Sequence, residues 1–185
     1  MHPRLPTLCA LAAFAVAAWI APSRVAIAQP APAAAAHPIP QSLRVEHEDT
    51  VERLSILAKR PGQVGVVARQ ARELFRRHAA REEEFILPPL TLLPVLADGK
   101  VTPDMAWAVT MADRVKAERE QIFLEHTRVT DAMNALLTAA TRARDKEAKE
   151  FAEAAVADSL NDLELLEPTV LLIGDYLRGK LPAAH

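Results

Sequence analysis

From Gln41 onward, apolar side chains return every three to four residues, the period of a helix with one buried face. Leu43, His47, Val51, Leu54 and Ala58 share the first stripe, and Pro61-Gly62 supplies its stop. The spacing predicts a second helix from about Gln63 to Leu87, with Val67, Ala71, Leu74, His78, Glu82 and Phe85 on one stripe; Pro88 and Pro89 end it. A connection with Pro94, Asp98-Gly99 and Thr102-Pro103 follows, its last two residues reading as an N-cap and a first helical position. A long third helix then carries Val115, Ile122, His126, Val129, Met133 and Leu136 along one face. A fourth begins near Thr141 to Asp145, places Phe151, Ala155, Asp158, Asp162 and Leu165 inward, and is ended or kinked by Pro168. The apolar tail TVLLIGDYL is expected to pack over one end.

The two halves of this pattern are related. Glu46-His47 recurs as Glu125-His126, and Arg81 to Pro88 aligns without gaps on Asn161 to Pro168, an offset of 80 residues. Each half reads as a helix with one inward histidine, then a helix with an inward pair four residues apart and a closing proline. The pair is His78 and Glu82 in the first half, Asp158 and Asp162 in the second. Two such hairpins brought together give an all-α, up-down four-helix bundle with approximate internal twofold repeat, spanning 41–179.

The residues before Gln41 follow a different pattern. Arg4 precedes an apolar run from about Leu8 to Ala21, and Ala26-Ile27-Ala28 is the small-x-small sequence that signal peptidase reads. The run is short for a membrane span. Residues 1–28 are therefore read as a signal peptide cleaved after Ala28, with a periplasmic or secreted product and no stable membrane insertion; an uncleaved anchor is the alternative. Residues 29–40, QPAPAAAAHPIP, read as an extended Ala/Pro-rich linker with His37 as a bystander. Cys9 is the only cysteine and leaves with the signal, so the mature chain can form neither a disulfide nor a cysteine-ligated metal site.

Composition narrows the function classes. Half of the 185 residues are hydrophobic but only 4% aromatic, Gly is scarce at 5, and half of the 14 Pro fall in the first forty residues. That balance suits helices packed on helices. A formal charge of −2, with no basic stripe interleaved with aromatics, gives no reason to expect nucleic acid. No Ser/His/Asp or Cys/His arrangement suggests a hydrolase, and no Gly-rich phosphate loop follows a strand.

What needs explaining is polarity on the inner stripes. His47, His78, Glu82, His126, Asp158 and Asp162 all fall near the middle of the expected bundle. A buried imidazole or carboxylate loses hydration worth several kcal/mol, so it must be paired, protonated or bound to a cation. Imidazole nitrogen with carboxylate oxygen and no sulfur suits iron, manganese or zinc. Ligands at i and i+4 project from one helix face onto one metal, or one onto each of two. The bland reading is a set of core histidines hydrogen-bonded to their neighbours. Asp158 and Asp162 form a wet face if the last helix is rotated by about one hundred degrees. Glu83 and Glu84 read as solvated.

The inward histidine of EHEDT, the HxxxE of His78 to Glu82 followed by a further glutamate and FILPPL, and the second EH at 125 and 126 resemble the hemerythrin-like, or HHE cation-binding, domain. The resemblance covers roughly Gln41 to Leu177. It implies a four-helix bundle holding a non-haem di-iron centre used for dioxygen binding, nitric oxide or redox sensing, iron handling or peroxide chemistry. His47, His78, Glu82 and His126 match its pattern, with Glu82 as a bridging carboxylate. The second HxxxE departs from it as Asp158-Ser159-Leu160-Asn161-Asp162, and the positions four residues either side of His126 are Ile122 and Thr130. More anionic oxygen around iron favours the ferric state, which argues against reversible oxygen carriage.

Two readings follow. In the first, an exported bundle binds one or two non-haem iron or other divalent ions through His47, His78, Glu82, His126, Asp162 and Asp158, with small diatomic or peroxide ligands as partners; it is not read as an enzyme. In the second, a metal-free bundle serves as a periplasmic interaction or stress module whose polar core is closed by direct His–carboxylate hydrogen bonds. A metal site needs ligand atoms converging at about 2.0–2.2 Å from one point, whereas direct pairing needs contacts near about 2.7–3.0 Å.

Overall fold

The computed structural model describes residues 37–182. The expected signal peptide, its cleavage point and the linker up to residue 36 lie outside the described residues. Within them the chain is helical throughout, with no strand, and no helix is long and apolar enough to cross a membrane. The helices are α1 (Gln41–Leu57), α2 (Gly62–Arg81), α3 (Leu93–Ala97), α4 (Ala106–Ala117), α5 (Arg119–Ala143), α6 (Lys146–Asn161) and α7 (Glu167–Lys180). α1 packs on α2, α2 on α5, α5 on α6, and α4 on α7.

The turns follow from local chemistry. Gly62 takes φ +71°, a left-handed conformation that costs glycine nothing, just after Pro61. Arg144 takes φ 54° beyond the end of α5, and the Asp145 side chain accepts the Ala148 N–H at 3.1 Å to cap α6. Arg60 reaches from the first of these turns to pair with Asp145 and Glu147 at the second.

Several expected boundaries shift. The long third helix breaks at Glu118 (φ −101°, ψ 11°) into α4 and α5. The apolar tail is part of the 14-residue helix α7, which runs on from α6 through a single wide turn, with Pro168 near its start where a missing N–H is tolerated. His37 is no bystander, since its ring stacks on Trp107 with centroids 3.9 Å apart, and Ile39 packs on the core beside it. Leu165, expected inward, is 59% exposed.

One feature had no counterpart in the hydrophobic pattern. Glu82–Ile86 and Asp162–Leu166 are both π-helical turns, placed 80 residues apart. The Leu87 N–H bonds the Glu82 carbonyl at 2.8 Å, five residues back, and the Glu167 N–H bonds the Asp162 carbonyl in the same way. The repeat read from residue types is thus also a repeat of backbone conformation. Such one-turn π insertions concentrate at functional sites, and each of these begins on a carboxylate.

The core has two apolar clusters. One gathers Leu54, Val67, Ala71, Met133, Leu136 and Ala152 from α1, α2, α5 and α6. The other joins Phe85 and Leu87 to Val115, Ile122, Val170 and Leu177. Between them runs a polar layer: His47 stands between Leu43 and Leu54, His78 and Glu82 between Ala71 and Phe85, His126 between Ile122 and Val129, and Asp162 between Ala155 and Leu166.

α4 and α7 meet closely because Gly174 has no side chain. A Cβ there would stand 2.3 Å from the Ala112 Cβ. Gly174→Ala is expected to force the pair apart and to cost about 1–3 kcal/mol, read as a lower denaturation midpoint with an unchanged slope.

Candidate metal centre

α2 presents His78; the π turn after it presents Glu82; α5 presents His126; and the π turn after α6 presents Asp162. One ligand-type atom from each of the four lies within 4.8 Å of all the others. His78, Glu82 and His126 are buried, and Asp162 is partly buried. His47 joins from α1, also buried.

Glu82 is the hub. Its Oε1 lies 3.3 Å from His78 Nε2 and 3.3 Å from His126 Nε2, and its Oε2 lies 3.2 Å from His47 Nε2. Three imidazoles therefore turn the same ring nitrogen toward one carboxylate that is 3% exposed.

The far side of two of these rings decides what Nε2 can be. His126 Nδ1 lies 3.1 Å from the Ile122 carbonyl, which can only accept, so Nδ1 carries a proton. His47 Nδ1 lies 2.9 Å from Glu83 Oε1, again an acceptor, so it too is the donor. In the neutral ring Nε2 is then a bare lone pair facing carboxylate oxygen. His126 Nε2 has no hydrogen-bond partner although it is fully buried. Lone pairs aimed at one another in a dry interior are repulsive unless protons or a cation stand between them. A ring nitrogen fixed by an outer carbonyl or carboxylate, with its other nitrogen facing inward, is the usual arrangement of metal-binding histidines.

The distances support the cation. Atoms about 2.1 Å from a shared ion stand about 3.0 Å apart at right angles and about 3.4 Å apart at tetrahedral angles. Contacts of 3.2–3.3 Å match that spacing and exceed the usual hydrogen-bond length. This buried His/Glu/His/Asp group can hold a metal ion.

Without a cation the same crowding perturbs every charge. Burial pushes His47 down, but the contacts to Glu82 and Glu83 outweigh it and raise its pKa to about 9. His126 moves the same way, with burial opposing and Glu82 prevailing. Glu82 is pushed up by burial yet is held well below the usual carboxylate range by His126, His47 and His78. Asp162 goes the other way: burial, and then the negative charge of Glu82, raise it to about 7. Burial and Asp158 raise Glu46.

The structure brings together His47, His78, Glu82, His126 and Asp162 from the residues singled out in the sequence. Asp158 is exposed and stands outside the four-residue group, though it borders the same small cavity as His47, His78 and Asp162; Ser159 beside it is buried and meets Thr130, with hydroxyl oxygens 3.0 Å apart. The Asp162 N–H bonds the Asp158 carbonyl, so the two stay one α-helical turn apart and the π turn begins only after that bond; α6 is rotated so that Ser159 rather than Asp158 is buried. Glu83, read as solvated, is instead the partner that fixes the His47 ring. Glu167 is also buried, with Arg119 Nε 3.1 Å from its Oε1. Its only signal in the sequence was its place before Pro168.

No family model, curated protein or solved structure matches this chain.

Proposed function

We propose that this chain is an exported hemerythrin-like protein whose helices α1, α2, α5 and α6 form an up-down four-helix bundle around one or two non-haem metal ions, iron foremost. The observation that carries the reading is the convergence of three imidazole Nε2 atoms on the buried Glu82 carboxylate, two of them with Nδ1 already committed to an outer acceptor. The pairing order α1–α2–α5–α6 supports the bundle, and the π turns repeated at Glu82 and Asp162 support its internal symmetry.

In this reading His78, Glu82, His126 and Asp162 hold an ion, with His47 reaching the other oxygen of Glu82. Bound there, iron supplies a Lewis-acidic and redox-capable centre for oxygen, nitric oxide or peroxide, or is itself the cargo. The chain's own part is to present lone pairs, to keep Glu82 ionised, and to exclude water with the apolar clusters on either side. Glu83 and the Ile122 carbonyl orient the rings.

A second reading, the metal-free interaction or stress module, draws on the direct 2.9 Å contact between His47 Nδ1 and Glu83. It leaves the His126 Nε2 facing Glu82 Oε1 at 3.3 Å without an aligned hydrogen bond.

The test is anaerobic titration of chelator-stripped protein with ferrous ion. His78→Ala is expected to abolish uptake, and His37→Ala, outside the group, to leave it as in the parent. Equal uptake by both variants contradicts the assignment. Glu83→Ala is expected to keep the stoichiometry while weakening affinity roughly 10–100-fold, the usual cost of losing an outer partner of a ligand.

A further inference from the structure

We infer that a groove between α2 and α5 is a binding site for a small oxyanion, placed directly beside the metal centre. The groove has a volume of about 330 Å³ and receives Arg77 and Arg81 from α2 and Arg128 from α5. One of its lining residues is His78, which also borders the small cavity that contains His47 and Asp162. An occupant of the groove is therefore one side chain away from the buried cluster. Leu74 and Val129 complete the lining with apolar surface, which weakens competition from water for any charge held there.

The arginines differ in how far they are already engaged. Arg81 pairs with Glu118 and stands 3.2 Å from Glu125, the one carboxylate in the groove, and Gln121 also holds Glu125 at 3.0 Å. The negative charge of Glu125 is thus answered from within the fold. Arg77 has only an exposed Glu73 at 3.7 Å, and Arg128 makes no ion pair among the described residues. The Arg81 Nε is the atom that faces Glu125 Oε2. Two uncommitted guanidinium forks border one recess. Guanidinium donors in a planar fork match the oxygens of phosphate-like and carboxylate ions and bind them through paired hydrogen bonds. Nothing in the ligand set of the metal centre requires these arginines, so the groove adds an anion site to it. The inference goes beyond the metal reading and does not depend on it.

Metal-free full-length protein is titrated with inorganic phosphate, and separately with chloride, at constant ionic strength while the arginine Nε and His78 ring resonances are followed. Saturable phosphate binding is expected to shift both sets of signals, with chloride unable to reproduce it. Arg77→Ala and Arg128→Ala are each expected to weaken binding about tenfold or more, with the lysine variants intermediate because they keep the charge and lose the fork. Both positions are exposed, so the fold and the metal content of the variants are expected to match the parent. Non-saturating shifts, or the same affinity in the parent and both alanine variants, would overturn the inference. Phosphate binding that appears only in metal-loaded protein and ignores the arginines makes the anion a ligand of the metal, and also overturns it. Absent metal uptake with arginine-dependent phosphate binding would sink the metal reading and leave this one standing.

Discussion

Glu82→Ala is expected to remove metal binding entirely and to lower the stability of the metal-free protein by about 3–5 kcal/mol, the scale seen when one member of a buried charged set is deleted. Both effects have one origin. In the metal-free protein Glu82 is the anion that raises the pKa of both His47 and His126 against the effect of burial. In the proposed metal-loaded protein it would be an oxygen donor at the meeting point of three helices, since His47, His78 and His126 all contact it. Glu82→Gln separates the two roles. Its amide keeps the volume and one acceptor oxygen, so part of the stability is expected to return while affinity for the ion stays low. Denaturant unfolding of the two variants, with and without ferrous ion, reads both numbers. A variant that binds metal as the parent does would remove Glu82 from the centre.

The second large effect is a pH dependence that differs between the two states. For the metal-free protein the sign follows from His47, whose folded pKa is raised from 6.5 to about 9. A group with a raised folded pKa stabilises below its unfolded pKa, and that stability fades as pH climbs through the folded value. Between about pH 6.5 and 9 the chelated protein is therefore expected to lose up to about 3 kcal/mol, with His126 adding to the same trend. Asp162, raised to about 7, already penalises the fold as pH rises toward that value and does not reverse the slope. Metal binding removes the dependence, because the ion needs the imidazoles deprotonated and competes with protons for them. Over the same window the affinity for the ion is expected to rise with pH, and because that gain offsets the metal-free loss, the melting temperature at saturating metal is expected to stay nearly level. Melting curves across this range, with chelator and with ferrous ion, distinguish the states by slope alone. Parallel slopes would mean that the protons on these rings are not exchanged for a cation.

The all-helical fold and most of the polar cluster were legible because both depend on period. His47, His78, Glu82 and His126 occupy positions where a helix of about 3.6 residues per turn buries its side chains, and all four are buried. What stayed hidden depends on departures from that period. α6 is rotated so that Ser159 rather than Asp158 is buried, and the π turn that starts at Asp162 then inserts a residue, so that Leu165 turns outward and Glu167 inward. The break at Glu118 is equally silent, since the residues around it are good helix formers and the stripe from Val115 to Ile122 continues across it. Glu83 was misplaced for a related reason. In the sequence it is the second of three consecutive glutamates, and nothing local separates it from Glu84. Its role appears only when α1 brings His47 Nδ1 to 2.9 Å, across 36 positions of sequence. His37 and Trp107 likewise meet through tertiary packing alone.

Elemental analysis of the protein purified without added metal or chelator, with an absorption spectrum of the same sample, tests the central claim most directly. About one to two ions per chain are expected, iron before any other, with absorption in the near ultraviolet that disappears on chelation. Protein isolated free of any transition metal, and unable to take up ferrous, manganous or zinc ion afterwards, would contradict it.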